Sequence, residues 1–69
     1  MRVDRVDNNV YYIAETLEDL TNWEIAGIQQ HKEGVQQLHL VREILGGYEF
    51  LIMFCSNNVL DEYFLQDAK

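Results

Sequence analysis

From Val10 onward the apolar residues Val10, Ile13, Ala14, Leu17 and Leu20 recur at intervals of three and four, the period of an amphipathic helix. The same stretch carries a competing signal. Asn8-Asn9 reads as a tight turn, Val10 to Ile13 as a strand favoured by Tyr11 and Tyr12, and Thr16 as the cap of a short helix. The helical period spans more residues, so one longer helix over 10–21 is the preferred expectation, ending at Asn22. Before it, Arg2 to Val6 is short and mixed, suited to a short N-terminal edge strand.

The pattern then changes. Trp23, Ile25 and Ile28 around Ala26-Gly27 predict a strand, and His31-Lys32-Glu33-Gly34 a turn in which Gly34 is free to take the left-handed conformation. Val35 to Ile44 alternates through Leu38, Leu40 and Ile44 as a second strand, and Gly46-Gly47 marks the next turn. Tyr48 to Cys55 is the most strongly signalled strand. Ser56, Asn57 and Asn58 are good helix caps, with Asn58 preferred, ahead of a terminal helix whose face holds Val59, Leu60, Tyr63 and Phe64. The expected fold is α+β: helix, three-stranded antiparallel β-meander, C-terminal helix.

The third strand carries information beyond its own conformation. One face presents Tyr48, Phe50, Ile52 and Phe54, the other Glu49, Leu51, Met53 and Cys55, so both faces are apolar from Phe50 onward. Such a strand needs cover on both sides. Two helices on opposite faces would supply it within a monomer. Two helices on one face would leave the other bare, and a bare apolar face is an interface. Phe50, Ile52, Met53 and Phe54 are accordingly candidate self-interface residues for a homodimer.

A chain of 69 residues makes one domain, residues 1–69, and leaves its stability marginal. Cys55 is the only cysteine, so no internal disulfide can staple the fold, and a reducing cytoplasm suits it best. Arg2, Asp4, Arg5 and Asp7 leave no apolar stretch for a signal peptide, and the run from Phe50 to Cys55 is too short to span a bilayer. His31, His39 and Cys55 lack metal-ligand spacing, and no cofactor motif is present.

Charge adds a second candidate surface. The formal net charge is −7, with no Lys or Arg between Arg5 and Lys32 or between Arg42 and Lys69. Glu15, Glu18 and Asp19 with Tyr11 on the expected first helix, and Asp61, Glu62 and Asp67 on the second, are candidate partner-binding residues. Their field disfavours nucleic acid and membranes and attracts a basic protein surface. The plainer reading is a coat of charge that keeps a small apolar domain soluble. Trp23 is read as core before it is read as a contact.

Catalysis finds little material. Ser56, the only serine, stands where a cap is wanted, Cys55 ends an apolar strand where a thiol is usually inert, and Asp61-Glu62 are adjacent helical residues that point apart. Gly46-Gly47 lacks the following Lys-Ser or Lys-Thr of a phosphate loop. In size, acidity and element order the chain resembles small phage proteins that inhibit host nucleic-acid enzymes, including some anti-CRISPR proteins and uracil-DNA glycosylase inhibitors. No motif is shared, so no residue role transfers. The expectation is a non-catalytic interaction module, an inhibitor or regulator on a basic, nucleic-acid-handling surface. The alternative is an assembly protein that self-associates through its apolar sheet face, and a third reading is an enzyme or sensor using Cys55 and a histidine.

Overall fold

A computed structural model describes residues 1–66. The chain forms β1 (Arg2–Val6), β2 (Asn9–Ala14), a 3₁₀ turn (Leu17–Leu20), β3 (Glu24–Lys32), β4 (Val35–Ile44), β5 (Gly47–Ser56) and α1 (Asn57–Gln66). The five strands make one sheet in the order β1-β2-β5-β4-β3. All neighbours are antiparallel except β2 and β5, which run parallel with Tyr12 beside Met53 and Ala14 beside Cys55.

The expected fold is therefore corrected in two respects. No α-helix forms over 10–21, where β2 and the 3₁₀ turn stand instead, and the sheet is a five-stranded mixed sheet in which the β3–β4–β5 meander is only one part. The competing reading of residues 8–16 comes close to what forms. Tyr11, Tyr12 and Ile13 fit a pleated surface better than a helix, and Asp7 and Asn8 take φ of 50° and 67°, the paired positive angles that close a two-residue hairpin. The turn thus lies one residue earlier than Asn8-Asn9. The three-and-four spacing is a coincidence of two elements: Ala14 and Leu20 point into the core, whereas Ile13 lies on the opposite face of the sheet beside Phe54.

From the end of β2 the chain crosses one face of the sheet to reach β3 at the far edge. The 3₁₀ turn makes that crossing and drops Leu20 into the centre of the core, fully buried. After β5, the Ser56 hydroxyl accepts a hydrogen bond from the Val59 N–H at 3.4 Å and caps α1, which folds back over the same face. The cap is one step before Asn57, ahead of the expected Asn58. Asn57 is itself held by the Gly34 carbonyl and the Gln36 side chain.

The core lies between that face and the two helical pieces: Ala14, Leu20, Leu38, Leu40, Met53, Cys55, Val59 and Leu60 are buried, with Tyr12, Trp23, Ile25, Leu51 and Tyr63 packed around them. At its border the Arg42 guanidinium sits 4.3 Å from the Trp23 ring centre and pairs with Glu49 at 2.9 Å. Both helical pieces cover one face. Among the described residues nothing covers the other.

Candidate functional site

The uncovered face follows from strand alternation and register. On β5 it takes every second residue: Tyr48 opposite Glu43, Phe50 opposite Val41, Ile52 opposite His39 and Phe54 opposite Gln37 on β4. Ile13 lies beside Phe54 across the parallel pair, and Tyr11 precedes it by one alternation. Phe50 is 75% exposed, Tyr48 63% and Ile52 47%, a contiguous apolar strip along the middle of the sheet. Exposed aromatic residues in a row exceed what scattered surface hydrophobics explain.

The strip is not flat. At the C-terminal end of β5 the face is hollowed into a groove of about 510 Å³ whose lining includes Arg2, Tyr11, Ile13, His31, Lys32 and Phe54. Tyr11 and His31 flank Phe54, their ring centres 5.5 and 4.5 Å from it. At the opposite end Tyr48 stands proud beside Glu24 and Glu43. A hollow of about 530 Å³ lies beside Tyr48 at that end, so the two ends differ in lining, aromatic with Lys32 and His31 at one and acidic with Glu24 and Glu43 at the other.

The four candidate self-interface residues divide. Phe50, Ile52 and Phe54 share the open face, but Met53 points the other way and is fully buried beneath the helical layer. It belongs to the core because its neighbours Leu38 and Tyr12 do. Tyr11 also changes partners: it lies on the open face with Phe54, and of the carboxylates with which the sequence grouped it only Glu15 borders the same groove. The residues that sequence reasoning passed over on this face are Ile13, Val41, His31 and His39. Reading Val10 to Ile13 as a strand would have placed Ile13 there.

The carboxylates lie elsewhere. Glu15 and Glu18 are exposed around the 3₁₀ turn, Asp61 and Glu62 are exposed on α1, and α1 packs against that turn. Asp67 lies outside the described residues. Asp19 is not a free contact residue. Its carboxylate accepts hydrogen bonds from the Met1 amine at 2.8 Å and from the Glu15 and Thr16 N–H groups at 2.9 and 3.3 Å, closing the 3₁₀ turn. The bond to the amine holds its pKa below the ordinary 3.8; desolvation opposes it, and the bonds from the Glu15 and Thr16 backbone add to the lowering. A depressed folded pKa stabilises the fold above the ordinary value and loses that contribution as pH falls through the folded one. Asp19→Ala is expected to cost about 1 kcal/mol at pH 7, typical of a lost cap. In urea titrations the gap to wild type should close as the pH drops below 3.8.

Chemistry at a thiol or hydroxyl is poorly provided for. Cys55 is buried, and burial pushes its pKa from 9.0 up to about 11, so the thiol stays protonated near neutrality. The Ser56 hydroxyl is engaged as the helix cap. Among the described residues no group of three or more His, Cys, Asp or Glu side chains is placed to hold a metal ion, and no helix is long and apolar enough to cross a membrane.

With this geometry in view, the chain was compared with family models, curated proteins and solved structures, and it matches none of them.

Proposed function

We propose that the protein is a non-catalytic interaction module whose working surface is the open face of its sheet. The observation that carries this reading is the strip Tyr48-Phe50-Ile52, exposed in the middle of a five-stranded sheet whose other face already has its cover. Leaving three large apolar side chains in water forfeits burial worth roughly 1.5–3 kcal/mol apiece, a large sum for a small domain. A partner that covers them recovers it. The lone, buried thiol suits a reducing compartment, and the cytoplasm is the proposed location.

A second reading is favoured by one observation, the gathering of Glu18, Asp61 and Glu62 on adjoining helical pieces. A basic protein surface would be the partner there, and an inhibitor of a nucleic-acid-handling protein the corresponding role. The two surfaces lie on opposite sides of the sheet, so one experiment separates them. A photo-crosslinking phenylalanine analogue is placed at Phe50 on the open face or at Leu65, which is 71% exposed on α1. Crosslinking to protein from position 50 and not from 65 is the expected result. Crosslinks from 65 alone would favour the acidic surface, and none from 50 would contradict the main reading.

A further inference from the structure

We infer that the occupant of the open face is a second copy of this chain, packed face to face about a two-fold axis that lies between the sheets and crosses the strands near Ile52. The inference rests on the interaction-module reading and assigns its partner. Three features of the face point the same way.

The first is area. β3, β4 and β5 have nine or ten residues and β1 and β2 five or six. At about 3.3 Å per residue and about 4.8 Å between strands, the face spans on the order of 650 Å². Two such faces remove on the order of 1,300 Å² from solvent, within the size class of specific protein interfaces.

The second is shape. Rotation about this axis turns each face end for end, so that β5 lies over β5 of the other copy in the opposite direction. Phe50 of one copy then meets Phe54 of the other, and Tyr48 enters the groove between Tyr11, Phe54 and His31. Ile52 meets its own equivalent. Projecting rings fill the hollow twice, which is the self-complementarity a two-fold interface requires.

The third is charge. Lys32 borders the groove end, while Glu24 and Glu43 border the far end, and none of these three makes an ion pair among the described residues. Asp4 and Glu15 also border the groove, but Asp4 is paired with Arg2 at 3.5 Å. The end-for-end rotation brings Lys32 towards Glu24 and Glu43 of the other copy. An axis through Ile52 parallel to the strands would instead lay β3 over β1 of the other copy and set Lys32 towards Arg2. Five further carboxylates, Glu18, Asp19, Glu49, Asp61 and Glu62, belong to the covered side, the helical pieces or their border, so the net charge of −7 opposes the pairing less than its size suggests.

Edge pairing is the competing way to associate through a sheet, and both edges are blunted against it. β1 is short and carries Arg2, Asp4 and Arg5, while β3 is interrupted by register shifts between Ile25 and Gly27 and between Gln30 and Lys32.

Sedimentation equilibrium on the full chain and on charge reversals of the rim tests the arrangement. The wild type should sediment as a dimer. Lys32→Glu and Glu43→Lys should each raise the dimer dissociation constant about tenfold, by turning two attractive rim contacts into repulsive ones. Mixed in equal amounts the two variants should form the heterodimer, and a chain carrying both reversals should recover wild-type affinity. Glu43→Lys is the sharper arm, since it reduces the magnitude of the negative net charge and would strengthen any pairing governed by overall repulsion alone. Dissociation constants unmoved by either reversal, or failure of the mixture to pair, would overturn the end-for-end dimer. A wild type monomeric at hundred-micromolar concentration would overturn self-association altogether. In that event a crosslink from position 50 to a different protein would leave the interaction module standing, and no crosslink would remove both.

Discussion

Met53→Ala is expected to lower the unfolding free energy by about 3 kcal/mol, near the middle of the range for truncating a buried methionine. Phe50→Ser, three residues earlier on the same strand, should change it by about 1 kcal/mol or less when both proteins are dilute enough to be monomeric. Phenylalanine is the larger side chain, so a reading from residue size alone reverses the order. The difference lies in where the two side chains sit. Met53 is fully buried between Leu38, Tyr12 and the helical layer, whereas Phe50 has solvent over most of its ring. A domain of 69 residues commands roughly 3–10 kcal/mol in total, so the alanine variant should lose between about a third and all of its stability. Urea denaturation followed by circular dichroism measures both. Equal losses would mean that the sheet has two covered faces.

Ile52→Glu should have the largest effect on association, raising the dimer dissociation constant by on the order of 100-fold or more while leaving the monomer folded. Ile52 is about half exposed in the monomer and opposite His39, so a glutamate there reaches water freely. In the dimer it would meet its own symmetry equivalent, placing two carboxylates together in an apolar interface. Neither has a lysine or arginine opposite it on β4, and an unpaired buried charge costs several kcal/mol. Sedimentation equilibrium gives the constant, and a thermal melt shows that the monomer survives. A variant that still dimerises would exclude Ile52 from the axis, and one that unfolds would place Ile52 in the core.

These two substitutions also mark how far the sequence could be read. The strand Tyr48 to Cys55 announced itself, and so did its two apolar faces; which face was the inner one did not. That depended on the chain between Ala14 and Glu24, where the apolar spacing from Val10 to Leu20 imitates a helix. The imitation is a coincidence of two elements: Ile13 answers to sheet register, Leu17 and Leu20 to the crossing of the core by the 3₁₀ turn. Local propensity at Tyr11 and Tyr12 pointed the right way, but periodicity outvoted it. The parallel pairing of β2 with β5 is a long-range choice with no local signal, and it brings Tyr11 and Ile13 beside Phe54. Asp19 shows the same limit in miniature. As one acid among several it looked like a contact, and only the backbone of Glu15 and Thr16 assigns it to closing a turn.

Light scattering on chromatographically separated wild type and Phe50→Ser, at matched concentrations, tests most directly whether the open sheet face joins two copies of this chain. Twice the chain mass is expected for the wild type and the single-chain mass for the variant, with unchanged circular dichroism. The same mass for both proteins, whether single or double, would contradict it.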